Sequence, residues 1–474
     1  METKVKSGRR ATKFEAISCL IVLLAILTVF TLKKVGISVA LLTSTLYMVL
    51  IGLRCGYTIR ELLEAMTKKI AGIADLTLLL MGIGFLIAAL VFGGSIPTLI
   101  TYLMKAITPA MCIPLAFVLT ALTAFFIGTS FGTAGTMGVI LVTLGAALNV
   151  NMPLLAGAVI SGSHVGLFIS PMSDNFNTTA SLGKADTSTA MKRAMYIAVP
   201  ALIICIAFYV ISGLLGGISG SGVDINAFGQ ELRSIFHINP IALLPIIYVF
   251  VASFLKIPAI IALFSGGFIA LICGSLLNGF SIWQGLACTL NGFSLTDVTG
   301  IAADSVLPQV ITLCNRGGMY GMIELFAIIF PAMAMAGLMI KIGVVDVIVT
   351  SLLGNVKTPL GLALSNWIIG VLTAVTTSAS AISIIMPFEM LEAKYEELGY
   401  SKLDCAVMCN TIASPIMCIT PWTDVGVYMS GIVGVSVLSY LPYCIWGWGL
   451  GLVAVICAAF RFGYKKQSAV GDNT

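Results

Sequence analysis

Charge is what this chain has least of. Only 9% of its 474 residues are Asp, Glu, Lys or Arg, whereas soluble globular chains carry about 25%. With 59% of the residues hydrophobic, a soluble globular protein is excluded and a polytopic membrane protein is expected. Histidine is nearly absent, with two residues, and none of the twelve cysteines forms a Cys-x-x-Cys pair. The thiols lie in apolar segments and read as small buried hydrophobes, not as a disulfide framework or metal ligands. No nucleotide-binding loop, low-complexity tract or soluble domain is visible. Neither a nucleic-acid partner nor an organic cofactor is therefore expected, and the chain does not read as an enzyme.

What is present in quantity is apolar sequence in runs of bilayer length, roughly 17–25 residues each. Clear runs are 14–32, 35–53, 70–92, 110–127, 194–215, 241–255, 257–277, 319–342, 360–375 and 439–460. Lys4, Lys6, Arg9, Arg10 and Lys13 precede the first run. That run is long and lacks a small-residue cleavage pattern, so it reads as an uncleaved first helix.

Sliding the chain against itself by 250 residues superimposes Thr108-Pro109 on Thr358-Pro359, Leu122-Thr123-Ala124 on Leu372-Thr373-Ala374, and Ser130 on Ser380. Ser170-Pro171-Met172-Ser173-Asp174 then falls on Thr420-Pro421-Trp422-Thr423-Asp424 without a gap. The chain is thus expected to contain two repeats. Basic residues cluster before the first run, at Lys184, Lys192 and Arg193, and at Arg461, Lys465 and Lys466, while the segment between the halves holds only Arg233. Basic segments stay in the cytoplasm, so both termini are expected there and each half crosses an odd number of times. The expected architecture is all-α, with two inverted repeats and broken or re-entrant helices. A cytoplasmic segment 1–13, a first repeat 14–217, an extracytoplasmic linker 218–238, a second repeat 239–462 and a cytoplasmic tail 463–474 follow from this reading.

Inverted repeats with polar breaks at matching positions point to a secondary transporter with its site near the midplane. Pro171 and Pro421 each remove an N–H from the helix ladder. The freed carbonyls, with the hydroxyls of Ser170, Ser173, Thr420 and Thr423, form a set of hard oxygen donors suited to Na⁺ or H⁺. Asp174 and Asp424 supply charge, and an acidic group at mid-membrane is kept mainly where something depends on it. The alternative is that both cap helices beginning at Asn175 and Val425. Upstream, Thr129, Ser130 and Thr133 in Gly128–Gly138, and Thr377, Ser378 and Ser380 in the second half, are candidates to face these groups. The rival reading of the small residues there is close helix packing. His164 offers a proton carrier or a packed, hydrogen-bonded side chain. Arg316 offers an anchor for an anionic substrate or for the interface, and Glu324 an acid within the following run.

At these residues the chain resembles the NhaC-type sodium/proton antiporter family, whose relatives include sodium-coupled carboxylate and amino-acid exchangers. Resemblance covers most of the chain, in GTSFGT (128–133), SGSHVGLFISPMSD (161–174), NRGG (315–318), MPFEMLEAKYEELG (386–399) and PWTDVGVYMSGIVGVSVLSYLPY (421–443). It implies antiport by alternating access in the bacterial inner membrane, with Na⁺ or H⁺ as the coupling ion, and an ion-site role for Ser170, Ser173 and Asp174. The chain also departs from the family pattern. Gly166-Leu167 stands for Gly-Asp, Thr377-Ser378-Ala379-Ser380-Ala381 for Thr-Gly-Asp-Gln-Tyr, and Pro421-Trp422-Thr423-Asp424 for Pro-Trp-Asn-Thr. Glu324 replaces an uncharged residue. Losing acidic groups suits a substrate that brings its own carboxylate, an amino acid or organic acid. The partners expected are the bilayer and a small ion or solute, with homodimerisation left open.

Two other classes compete. Gly-x-Ser-x-Gly at 128–132, with His164 and Asp174, matches a hydrolase inventory, but a nucleophile elbow needs a strand-turn-helix context that nothing here provides. Polar re-entrant segments also build channels, which electrical recording separates from an exchanger. Asp174→Asn is expected to leave the protein folded and inserted but to abolish Na⁺- or H⁺-coupled transport in proteoliposomes; normal coupling in that variant would move the site elsewhere.

Overall fold

The structure, a computed structural model, describes residues 8–33, 35–103, 108–216, 225–255, 257–347 and 358–462. Parts of three expected segments, residues 1–7, 218–224 and the tail 463–474, lie outside the described residues. Among the described residues the regular structure is helical. The first half runs α1 Lys13–Leu32, α2 Ile37–Arg54, α3 Ile59–Ala71, α4 Ala74–Phe92, α5 Pro109–Ile127, α6 Ser130–Ala147, α7 Met152–Ile169, α8 Asp174–Leu182 and α9 Thr187–Gly216. The second runs α10 Ile225–Ile235, α11 Leu244–Phe254, α12 Ala259–Leu277, α13 Ile323–Ile342, α14 Pro359–Thr377, α15 Ile382–Glu397, α16 Lys402–Asn410, α17 Asp424–Val433 and α18 Ile445–Ala459, with short helical turns between. Among the described residues, ten helical stretches are long and apolar enough to cross a membrane, or up to twelve if two bent pairs each count as one span.

Four differences from the run-by-run reading have local causes. Ser130–Ala147 and the broken Met152–Leu182 are full-length apolar spans, hidden in the sequence by their Gly, Ser and Thr. Residues 241–255 are not a straight span, because Asn239-Pro240 bends Ala227–Ile235 against Pro240–Ser253 by 88°. Residues 439–460 are interrupted at Leu441-Pro442-Tyr443, so that α18 has only 15 residues. The run beginning at Ile70 is two elements, since α3 ends at Ala71 and α4 starts at Ala74. Thr58 and Glu61 start α3 with reciprocal hydrogen bonds, and each N–H satisfied this way is one that the helix itself leaves unpaired.

Three pairs of helix ends are spaced by 250 residues. Phe92 and Ile342 end α4 and α13, Pro109 and Pro359 open α5 and α14, and Asp174 and Asp424 open α8 and α17. The packing then crosses between halves: α8 lies against α15 and α16, while α17 lies against α6. Within the first half, α5 and α7 meet most intimately. Gly162 and Gly166, one turn apart on α7, face Thr120 and the Ala124 carbonyl so closely that a side chain at either would collide, the small-residue packing expected of apolar helices.

A buried ion pair ties the halves together. Arg193 Nε on α9 donates to Asp404 Oδ1 on α16, and both side chains are under a tenth exposed. Asp404 Oδ2 also accepts from the Ser401 N–H and hydroxyl, so one carboxylate starts a helix and anchors a cation. Removing one member of a buried pair strands the other, at a cost of about 3–5 kcal/mol. Asp404→Ala should therefore lower the thermal unfolding midpoint in detergent sharply, whereas Asp404→Leu combined with Arg193→Leu should lower it less; an unchanged midpoint for Asp404→Ala would remove this pair from the account.

Candidate functional site

Two helices end in left-handed backbone at equivalent positions. α5 is closed by Gly128, at φ 80°, and α14 by Ser378, at φ 46° and ψ 45°. Glycine adopts this region freely, whereas an L side chain there costs roughly 1–2 kcal/mol. The second half therefore carries a serine where the backbone favours glycine. Ser378 Oγ and the neighbouring Thr377 Oγ1 are buried and have no hydrogen-bond partner among the described residues. Leaving such a group unsatisfied costs about 1–3 kcal/mol more, and strained residues of this kind cluster at ligand sites.

The surrounding groups are held by backbone carbonyls that the breaks release. Ser170 Oγ donates to the Phe125 carbonyl at 2.6 Å, and Trp422 Nε1 donates to Val375 at 3.0 Å. These carbonyls occupy the same place in the two halves, each met by the proline-containing loop of its own half. Ser380 Oγ accepts from Asn175 Nδ2 at 2.8 Å, and Tyr428 donates to the Phe131 carbonyl at 2.7 Å. The start of α8 thus reaches the second-half break, and α17 reaches the first-half break.

The predicted oxygen donors are mostly engaged. Ser173 Oγ donates to Leu167 at 3.0 Å, Thr420 Oγ1 to Ile416 at 2.8 Å, and Thr423 Oγ1 to Met417 at 2.5 Å. Thr133 Oγ1 donates to Thr129 at 2.8 Å. A hydroxyl that spends its proton this way retains a lone pair for a cation. The helix caps are Ser173 and Thr423, which accept from Phe176 N and Gly426 N. The reading of Asp174 and Asp424 as caps is corrected: both are the first helical residues, one position further on.

The two aspartates have different surroundings. Asp174 is exposed, and no hydrogen bond joins it to Asp424 among the described residues. Asp424 is half-buried, accepts from its own neighbour Val425 N at 2.8 Å, and acts electrostatically on Lys69 of α3. Burial pulls the Lys69 ammonium below its ordinary range, an effect that Asp424 opposes. Lys69 was missed in sequence, although Thr58-x-x-Glu61 and the apolar spacing Leu62, Met66, Ile70 mark the helix that carries it.

Three further candidates are placed individually. His164 is buried, with Nδ1 2.8 Å from the Ile160 carbonyl and Nε2 without a hydrogen-bond partner. Its other neighbour is Ser163, so Ser130, His164 and Asp174 form no hydrogen-bonded triad. Glu324 is exposed in the first turn of α13. Arg316 stands in a non-helical loop pressed into the middle of α4: Gly318 N donates to the Gly84 carbonyl at 2.8 Å, and Gly317 abuts Ala88 too closely for any side chain. No carboxylate pairs with Arg316 among the described residues, and its guanidinium lies beside Gly434, where α17 ends.

The family model described as the Na⁺/H⁺ antiporter family matches residues 9–176 and 162–462. An uncharacterized Na⁺/H⁺ antiporter of Haemophilus influenzae is 32% identical, covering 97% of this chain and 98% of its own. The malate-2H⁺/Na⁺-lactate antiporter of Bacillus subtilis is 30% identical, covering 98% and 97%. The arginine/ornithine antiporter ArcD of Halobacterium salinarum is 28% identical, covering 82% and 79%.

Ser378→Gly separates stability from binding, because it relieves the left-handed strain while deleting an unpartnered hydroxyl. Its thermal midpoint in Na⁺-free detergent should be equal to or above that of the parent, and the stabilisation produced by added Na⁺ should shrink. A lower midpoint with undiminished Na⁺ stabilisation would make Ser378 a structural residue.

Proposed function

The chain belongs to the Na⁺/H⁺ antiporter family and is a secondary transporter, and from that premise we propose that its coupling cation binds at the break between α14 and α15. The observation that carries this reading is the pair of buried, unpartnered hydroxyls at Thr377 and Ser378, the latter held in backbone that favours glycine. Asn175 and Ser380 close one side of the break. Asp174, at the start of α8, supplies the exchangeable negative charge, and the lone pairs of Ser170, Ser173, Thr420 and Thr423 extend the oxygen surface. Thr129, Ser130 and Thr133 hold the equivalent break, against which α17 moves. Alternating access then exchanges contacts between α8 and α15 on one side and α17 and α6 on the other. The basic flanks support a reading with both termini in the cytoplasm and the two halves in opposite orientations across the inner membrane.

A second reading concerns the counter-transported solute, and Arg316 favours it. An arginine held at the depth of the α4 midpoint without a carboxylate partner is suited to bidentate recognition of a substrate carboxylate. Two relatives are named for exchange of carboxylate-bearing solutes, malate with lactate and arginine with ornithine. We therefore take the cargo to be a small organic or amino acid exchanged against Na⁺ or H⁺.

Proteoliposomes containing the purified protein should take up labelled lactate, malate or arginine in response to an imposed Na⁺ or proton gradient. Arg316→Gln should reduce that uptake about tenfold or more, as expected for loss of a desolvated charge contact. Uptake insensitive to every gradient would overturn the coupled mechanism, and undiminished uptake by the variant would remove Arg316 from the substrate site.

A further inference from the structure

Outside the two breaks, a concavity lies between α3, α13 and the first residue of α15. It has a volume of about 470 Å³ and is lined by Lys68, Lys69 and Lys341, with Glu61, Glu64 and Ile382. That volume lies within the range of about 300–1,000 Å³ typical of small-molecule sites. Its floor is set by the crossing of α3 and α13, where Gly337 approaches the Ala65 carbonyl so closely that a side chain would collide.

The charges on its walls are unevenly committed. Glu61 Oε2 is turned back onto Thr58, accepting from its N–H at 2.8 Å and its hydroxyl at 2.9 Å. Lys341 lies over the Tyr57 ring, 5.3 Å from its centroid. Among the described residues none of the three lysines has an ion-pair partner within 4.0 Å. Lys69 is half-buried and feels Asp424. Ile340 and Ile382 also line a smaller cavity of about 110 Å³, which Thr377 and Asp346 line as well. The lysine cleft and the cavity at Thr377 thus share the side chains of Ile340 and Ile382.

We propose that this cleft is the vestibule in which the carboxylate of the exchanged solute first binds, with Lys69 and Lys68 as its receptors. The inference rests on the reading of the cargo as a carboxylate. A carboxylate arriving at the cleft meets a Lys69 ammonium that no carboxylate holds within 4.0 Å among the described residues. Ile340 and Ile382 form the apolar gate between this vestibule and the break. Partial burial of Lys69 strengthens the contact, since the same pair of charges attracts more strongly where water is excluded.

The test uses malate and lactate as probes on the purified, full-length protein. In wild-type protein, millimolar malate should protect Lys68 and Lys69 from an amine-acylating reagent, read by mass spectrometry, while Lys192 is modified at an unchanged rate. In proteoliposomes, Lys69→Gln should raise the KM for malate or lactate at least fivefold with a smaller change in kcat, and Lys69→Arg should restore most of it. Wild-type transport with no protection and an unaltered KM in Lys69→Gln would overturn the vestibule while leaving the carboxylate reading intact. Absence of any carboxylate transport by the wild type would overturn both. Protection by phosphatidylglycerol vesicles but not by malate would assign the cleft to a lipid headgroup and overturn the proposal.

Discussion

A chain that leaves the helix inside a membrane must find internal partners for the carbonyls and N–H groups it exposes, because the hydrocarbon offers none. This constraint organises the whole centre of the molecule. The Phe125 and Val375 carbonyls, released where α5 and α14 end, are met by Ser170 and Trp422. The N–H groups that open α8 and α17 are met by Ser173 and Thr423. Each proline-containing loop thus both ends one ladder and starts another, and the two loops do so at the same places in their halves. Among the described residues, the hydroxyls of Thr377 and Ser378 are two of the buried side-chain polar atoms that remain unmet.

The repeat supplies its own comparison. Gly128 and Ser378 both lie in the left-handed backbone region, where one half has no side chain and the other a hydroxymethyl group. Serine at 378 adds strain and a buried polar atom with no protein partner, and neither contributes to stability. Both features fit the cation site proposed above, since oxygen ligands are what a hard ion requires. The first half, with glycine at that place, keeps its break tightly closed against Met172. The two breaks thus differ in their unpartnered groups while their helix ends keep the 250-residue spacing.

Much of this was legible in the sequence and part was not, for physical reasons. The repeat was readable because Pro171-x-Ser173-Asp174 and Pro421-x-Thr423-Asp424 are rare in apolar surroundings. The cap position was misjudged by one residue because Ser, Thr and Asp are all good caps and adjacent. Two full spans, Ser130–Ala147 and Met152–Leu182, were hidden because glycine and hydroxyl residues lower hydropathy while they are packed against other helices. Left-handed backbone at Ser378 carries no sequence signature, since serine is unremarkable in a turn. The electrostatic approach of Lys69 to Asp424 joins residues more than 350 positions apart, and only the fold brings them within range.

The central claim is that the break between α14 and α15 holds the coupling cation. The most direct measurement is a pair of high-resolution maps of the protein, one in Na⁺ and one with choline in its place. The account predicts difference density within coordination distance of Thr377 Oγ1 and Ser378 Oγ, on the side where Asn175 meets Ser380. Density elsewhere, with this break unchanged between the two maps, would contradict it.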